Sequence, residues 1–278
     1  MSKKNIDLST GTIKNVHIVG IGGAGMSAIA HVLKMQGLNI SGSDLKDSKV
    51  TQRLTSQGIT VSIPHDAKLI NSNFDLVVIS SAINESNVEV ISANELGIPV
   101  YTRAEMLSAI CANERSIGIA GSHGKTTTTS MVTTIARGFN MSPSFMIGGD
   151  LNEIGTNADY NKGSYLIVEA DESDKTFLDL DLVGSIVTNI ESDHLENYEN
   201  SFKNLKQGFM QFVNQTKGPV VICVDEQNAR DVSEACSETT NIITVGLENA
   251  LYTYNIISKD SKGIDAEIYF GAELKGLL

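Results

Sequence analysis

The residues Gly121-Ser122-His123-Gly124-Lys125-Thr126-Thr127 form the strongest chemical signal in the chain. They follow the apolar run Ile117–Ala120 and open a helical stretch. Backbone N–H groups of such a loop converge on phosphate oxygens. Lys125 is placed to reach the β- and γ-phosphates of a nucleotide, and the Thr126 hydroxyl to coordinate Mg²⁺. The position that usually carries the first glycine of the longer P-loop pattern is Ile119, with Gly118 and Gly121 around it. That short form argues against generic P-loop GTPases and transporters. A Mg²⁺ site needs further oxygen ligands. The run Tyr165-Leu166-Ile167-Val168-Glu169 is an apolar strand ending in a carboxylate, as in a Walker-B element. Asp171, Glu172 and Asp174 crowd the same loop, some of them as solvated or capping residues. His194 ends the segment Thr188–His194, and a neutral imidazole there suits a second divalent ion. Lys125, Glu169 and His194 are the candidate catalytic residues. Thr126, Glu169 and His194 are the candidate metal ligands.

A second glycine loop lies near the start. Gly20-Ile21-Gly22-Gly23-Ala24-Gly25 contains G-x-G-x-x-G directly after a strand and before a helix. Gly20 permits the tight turn, Gly22 the approach of the backbone to a phosphate, and Gly25 close helix–strand packing. The pattern indicates a pyrophosphate-bearing ligand, which a UDP-sugar satisfies as well as NAD does. Asp44, at the end of the second strand, stands where an acid meets a ribose hydroxyl. Ser80 and Ser81 end another apolar run, as ligand contacts or as plain turn residues. Gly20, Gly22, Gly23, Ala24, Gly25, Asp44, Ser80 and Ser81 are the candidate substrate-binding set. His65, following Pro64, reads as a solvent-facing loop histidine.

These loops need rigid elements behind them. Val16–Val19, Leu38–Gly42 and Phe74–Ile79 read as strands, and Gly25–Gln36 and Glu85–Leu96 as helices ended by Gly37 and Gly97. Strand–helix alternation implies a parallel sheet with helices on its faces. Ala104–Ile110 reads as a helix, and after a polar connector the pattern restarts. Ile117–Ala120, Tyr165–Val168, Ser185–Thr188 and Pro219–Val224 are strands; Lys125–Arg137 and Phe202–Val213 are helices. Leu251–Ser258 and Ile264–Phe270 suggest a hairpin. The expected fold is α/β: a Rossmann-like parallel-sheet domain over 1–112, then a P-loop α/β ATPase domain over 113–278, incomplete at its C-terminal end.

The 278 residues suffice for two domains of ordinary size. A formal net charge of −12 disfavours nucleic-acid binding, which needs clustered Lys and Arg. Cys111, Cys223 and Cys236 show no C-x-x-C spacing, and they read as reduced, interior residues of a cytoplasmic protein. No apolar stretch approaches the roughly 20 residues of a membrane span.

In order and spacing these pieces resemble the Mur ligase family. The resemblance rests on GIGGAGMS at 20–27, SGSD at 41–44, GSHGKTTT at 121–128, IGGDLNEIGTNA at 147–158, VEADESD at 168–174 and NIESDH at 189–194, and it covers essentially the whole chain. His123 before GKT is similar to the L-alanine-adding branch; a murein-tripeptide recycling branch shares it but differs in the first loop and after EADE. Ser122 stands where threonine is commoner. The resemblance implies two steps. The lactyl carboxylate of UDP-N-acetylmuramate takes the γ-phosphoryl group of ATP, and the amine of L-alanine then displaces phosphate from the acyl phosphate. It also implies that Gly121, Ser122, His123, Gly124, Lys125, Thr126 and Thr127 hold ATP. Thr126 and Glu169 would hold one Mg²⁺, His194 a second, and the first domain the UDP moiety.

Family members carry a third, C-terminal domain, which this sequence does not reach. The expectation is an incomplete second domain with little ligase activity alone, and robust alanine-dependent phosphate release would overturn it. A non-catalytic UDP-sugar-binding fragment is the second reading. An NAD-linked oxidoreductase is the third, and it leaves GSHGKTT unexplained. Partners are small molecules, with neither nucleic acid nor membrane.

Overall fold

The structure, a computed structural model of the chain, describes residues 6–151, 155–163, 165–236, 238, 240–261 and 263–277. Asn152, Glu153 and Ile154 of the IGGDLNEIGTNA motif lie outside the described residues. In chain order the first elements are β1 (Asn15–Val19), α1 (Ala24–Met35), β2 (Asn39–Ser43), α2 (Lys49–Ser56), β3 (Thr60–Ser62), β4 (Leu76–Ile79), α3 (Val88–Glu95), β5 (Val100–Thr102) and α4 (Arg103–Ala112). Next come β6 (Ser116–Ala120), α5 (Lys125–Gly138), β7 (Ser144–Leu151), β8 (Thr156–Asp159), β9 (Leu166–Glu169) and β10 (Gly184–Val187). Then follow α6 (Phe202–Gln215), β11 (Val220–Cys223), α7 (Gln227–Cys236), β12 (Ile242–Gly246), β13 (Tyr252–Lys259), β14 (Ile264–Phe270) and β15 (Glu273–Leu277). They divide into two units: Met1–Ser116 with Thr129–Glu169, and Ile117–Thr128 with Ala170–Leu278.

The first unit contains a parallel five-stranded sheet in the order β3-β2-β1-β4-β5. β1 sits at its centre, so Val16, Ile18 and Val19 are fully buried on both faces, as Val/Ile-rich parallel strands require. Gly42 on β2 has no room for a side chain: a Cβ there would lie 2.5 Å from the Ile18 carbonyl oxygen and 2.6 Å from Ile21 Cδ1. That close approach lets β2 end against the first glycine loop. α1 turns Met26, Ile29, Val32 and Leu33 inward and stops at Gly37, whose φ of +98° suits glycine. α3 starts at Val88, later than its sequence pattern suggests, because the Asn87 side chain caps it by accepting from Glu89 N–H. β7 runs parallel to β9 and antiparallel to β8 within the same unit.

In the second unit the strands run in the order β15-β14-β13-β12-β11-β10-β6. The strands from β6 to β13 pair in parallel, and β13, β14 and β15 form an antiparallel meander. The hairpin read from the sequence is therefore extended by a third strand. Gly118 on β6 makes room for Leu182, whose Cδ1 would lie 2.6 Å from a Cβ. Phe177, Phe209 and Phe212 are fully buried, with ring centroids 5.3 and 5.1 Å apart around Phe177. Such an aromatic cluster anchors α6 under the segment 170–180.

Cys111 and Cys236 are buried as expected, but Cys223, the last residue of β11, is only half-buried. Among the described residues no helix is long and apolar enough to cross a membrane.

Candidate active site

The first loop is organised by the end of β2. Gly20 N–H and Ile21 N–H both donate to the Ser43 carbonyl oxygen, at 2.9 and 3.0 Å. Gly20 has φ +79°, and a Cβ there would sit 3.1 Å from the Ser80 side chain, so Ser80 lies directly against the turn. Ser81 is exposed on the turn that follows. Gly22 N–H donates to Asp44 Oδ2 at 2.8 Å, while Asp44 Oδ1 accepts from Leu45 N–H at 2.8 Å. The Asp44 carboxylate is thus engaged in shaping the loop. Gly23 is the N-cap of α1 and provides no side-chain cap. The first-turn N–H groups of Ala24 and Gly25 therefore face no competing side-chain acceptor from the cap, as an anion site needs.

Three features here go beyond the sequence reading. Arg103 opens α4 at the carboxyl edge of β5, and its Nη1 would be 3.1 Å from a Cβ on Gly25, so a guanidinium lies beside the loop. Its signal is present in the sequence: an Arg directly after a strand of a parallel sheet emerges at the ligand-binding edge. The second feature is Glu89, fully buried on α3. Its Oε2 accepts from Ser43 Oγ at 2.7 Å and lies 3.1 Å from His17 Nε2, and its Oε1 accepts from Asp66 N–H at 3.0 Å. Burial alone raises this carboxyl, but the bonds from His17 and Ser43, the charge of His17 and the Asp66 N–H outweigh it and hold the pKa below its ordinary value. The signal is His17 itself, an imidazole inside an apolar strand, which must find a partner. The third feature corrects an expectation. The His65 side chain is only 8% exposed, and its Nδ1 lies 2.8 Å from Ser43 Oγ and 3.3 Å from Glu89 Oε1. The buried carboxylate draws it inward from the loop.

The second loop is lashed to the segment after β10. Ser122 N–H donates to the Asn189 carbonyl oxygen at 3.2 Å, and His123 N–H to Asn189 Oδ1 at 2.8 Å. The His123 carbonyl oxygen accepts from Thr188 Oγ1 at 2.6 Å and Asn189 Nδ2 at 2.9 Å. Ser122 Oγ accepts from Glu191 N–H at 2.9 Å. Gly121, at φ +138°, is irreplaceable in this arrangement, since a Cβ would fall 2.0 Å from Thr188 Oγ1. Two motifs far apart in sequence, GSHGKT and NIESDH, thus form one loop pair. In sequence the NIESDH motif stands out for its histidine alone, and Asn189 proves to be the structural tie.

Lys125 Nζ donates to the Gly121 carbonyl oxygen at 2.7 Å and to both carboxylate oxygens of Glu172, at 2.9 and 2.8 Å. Glu172 is 1% exposed. Burial pushes its carboxyl above the ordinary value, against the lowering pull of Lys125. Tyr198 Oη donates to the Glu172 carbonyl oxygen at 2.6 Å, fixing that loop from below. Gly124 is exposed at φ +81°, and Thr126 and Thr127 are exposed on the first turn of α5. His123 is exposed, with Nε2 3.7 Å from Glu191 Oε2. His194 is half exposed at φ +52°, with Nε2 3.6 Å from Asp193 Oδ2.

Glu169, at the end of β9 in the first unit, is held by one oxygen. Gly148 N–H of β7 donates to Oε1 at 2.7 Å, while Oε2 has no hydrogen bond among the described residues. Among the described residues no three His, Cys, Asp or Glu side chains are gathered as a metal site. Taken singly, Thr126 and Glu169 each carry an oxygen donor of the kind Mg²⁺ takes, and His194 carries a nitrogen. A hydroxyl and a carboxylate are hard oxygen ligands, and Mg²⁺ in nucleotide sites takes its remaining ligands from phosphate and water.

The Mur ligase family, catalytic domain, matches residues 15–115, and the Mur ligase middle domain matches residues 119–275. The chain belongs to the Mur ligase family. A UDP-N-acetylmuramate–L-alanine ligase of Psychrobacter sp. (strain PRwf-1) is 45% identical over 238 residues, which are 85% of this chain and 49% of that protein. The ligase of the same name from Dechloromonas aromatica (strain RCB) is 44% identical over 254 residues, 90% of this chain and 54% of that protein. This Mur ligase chain spans about half the length of those relatives. The crystal structure of UDP-N-acetylmuramate-alanine ligase from Thermotoga maritima superposes with a TM-score of 0.83 at 28% identity, covering 95% of this chain and 60% of that one. A UDP-N-acetylmuramate:L-alanyl-γ-D-glutamyl-meso-diaminopimelate ligase from Neisseria meningitides shares the fold, with a TM-score of 0.83 at 24% identity over 96% of this chain and 87% of that one.

Proposed function

We propose that the chain carries the UDP-sugar-binding and ATP-handling parts of a cytoplasmic ligase that joins L-alanine to UDP-N-acetylmuramate in peptidoglycan precursor synthesis. The observation that carries this reading is the second loop, in which Lys125 is fixed at the loop mouth by Gly121 and Glu172 while Thr126 and Thr127 stay exposed behind it. The named relatives at 44–45% identity support the alanine-adding branch over the tripeptide-recycling one.

In this reading, residues 1–112 serve the UDP moiety. The N–H groups that open α1 take the diphosphate, and Arg103 supplies a cation beside them. Gly20 and Gly22 shape the turn, Asp44 pins it, and Ser80 and Ser81 offer hydroxyls at the same edge. Residues 113–278 serve ATP. A lactyl carboxylate oxygen attacks the γ-phosphorus, the bond to the β,γ-bridging oxygen breaks, and ADP leaves. The amine of L-alanine then attacks the acyl carbon, phosphate leaves with the electron pair, and the amine loses a proton. Two anions meet in the first step, so Lys125 must transfer its hydrogen bonds from Glu172 to the phosphoryl oxygens. Thr126 and Glu169 would hold one Mg²⁺ and His194 a second, and the metal supplies further neutralisation of the triphosphate.

The test is single-turnover transfer from ATP to UDP-N-acetylmuramate, with hydroxylamine trapping of the acyl phosphate. Trapped hydroxamate that disappears in Lys125→Met supports the reading. A chain that binds neither UDP nor a Mg²⁺–ATP analogue overturns it.

A further inference from the structure

Residues 148–150 and 155–157 link the first glycine loop to Glu169 within the first unit, and neither glycine loop accounts for them. In the middle of β7, Gly148 N–H holds Glu169 Oε1 at 2.7 Å. A Cβ on Gly148 would lie 2.9 Å from Glu169 Oε2, so only glycine leaves the carboxylate where it is. Two residues further along β7, Asp150 Oδ1 accepts from Arg53 Nη1 of α2 at 2.9 Å. The same nitrogen donates to the Gly155 carbonyl oxygen at 3.2 Å, and Arg53 Nη2 donates to Asn157 Oδ1 of β8 at 3.1 Å. Asn157 is buried, 4% exposed, and its Nδ2 donates to the Ala24 carbonyl oxygen at 2.8 Å. Ala24 is the first residue of α1, directly behind the first glycine loop, and Ser27 Oγ donates to the same carbonyl at 2.9 Å.

We propose that β7 and β8 form a strap between the proposed diphosphate loop and the proposed metal carboxylate, with Arg53 and Asn157 as positioning residues that couple nucleotide-sugar binding to Mg²⁺–ATP binding. The physical reason is shortness and stiffness. Asp150 and Gly148 lie two residues apart on one strand, so a shift of the α1 N-terminus that moves Asn157 and Arg53 moves Gly148 N–H by a comparable amount. A carboxylate held by a single N–H follows that donor. Coupling between two binding sites is reciprocal and is measured as the factor by which one ligand changes the affinity for the other. The proposal rests on the assignment of the two ligand sites given above.

The experiment is calorimetric titration of the full 278-residue chain with UDP, with and without saturating Mg²⁺ and a non-hydrolysable ATP analogue. Wild type is expected to show a coupling factor of about fivefold, the low end of usual allosteric couplings. Arg53→Met and Asn157→Asp are expected to bring the factor close to one, while UDP alone binds within about threefold of wild type, because neither side chain is a proposed ligand contact. Gly148→Ala, which leaves the loop-side bonds intact, is expected to do the same from the other end. Melting temperature is recorded for each, since a purely structural role lowers it and leaves the coupling factor at the wild-type value. That outcome in all three variants overturns the strap, as does a wild type that binds both ligands with no coupling. A wild type that binds neither ligand overturns the site assignment on which the strap rests.

Discussion

The two glycine loops are held in shape in different ways. The first is held mainly by backbone: Gly20 and Ile21 N–H groups on the Ser43 carbonyl oxygen, with Asp44 closing on Gly22. The second is held by side chains from a distant segment, Thr188 and Asn189, and its lysine already has an anionic partner in Glu172. The buried carboxylates behind them diverge as well. Glu89 has several donors and its pKa is lowered, whereas Glu172 is held chiefly by Lys125 and its pKa is raised. A ready-made backbone cradle suits a ligand that is bound and kept. A lysine released from a carboxylate suits one whose phosphate must be gripped, transferred and let go.

The largest expected effect comes from Lys125→Met. It should weaken binding of a Mg²⁺–ATP analogue by at least about a hundredfold, the scale of losing one charge-stabilising donor, and leave UDP binding unchanged in calorimetry. It also strands the buried Glu172, costing on the order of 3 kcal/mol in urea unfolding. Glu172→Gln in the same chain should return most of that stability and none of the nucleotide affinity. Glu89→Gln should cost about 3 kcal/mol too, since it removes one member of a buried hydrogen-bonded cluster, but with nucleotide affinity intact. If Glu89→Gln instead abolished nucleotide binding, the separation between the two loops would be lost.

Smaller effects sharpen the contrast. Gly20→Ala forces a Cβ at φ +79° and should lower stability by about 1–2 kcal/mol, with a matching loss of UDP affinity. The pH dependence has opposite signs at the two carboxylates. Glu89 is lowered from 4.5, so its contribution is present above that value and is lost as pH falls through the native pKa. Glu172 is raised from 4.5, so the native state holds its proton longer, and stability falls as pH rises from 4.5 through the native pKa. Melting temperature against pH for Glu89→Gln and Glu172→Gln should therefore diverge from wild type on opposite sides of that range.

Both loops are legible in the amino-acid sequence itself. Strand, glycine loop and helix announce themselves at 16–36 and 117–137 because apolar runs, glycines and helical spacing agree there. α2 gives no such signal: Lys49–Ser56 is polar, with only Thr51 and Leu54 buried, and its start depends on a Ser48–Thr51 capping box. β12 escapes the pattern because Ile242–Gly246 is short and half-buried. The site's lining is harder still. Lys125 is a motif residue, but its pairing with Glu172 depends on how the 170–175 loop turns, and Lys175 takes a left-handed conformation there that no pattern signals. Likewise Arg53 reads as one surface charge on a weak helix, and only the fold carries it to Asp150 and Asn157.

The most direct test of the account is a double-mutant cycle on Lys125→Met and Glu169→Ala, read as the affinity of the chain for an ATP analogue at fixed Mg²⁺. If both side chains act on one magnesium-bound triphosphate, each single change weakens binding sharply and the double change costs far less than the two combined. Strictly additive losses, or a Glu169→Ala variant that binds like wild type, would contradict it.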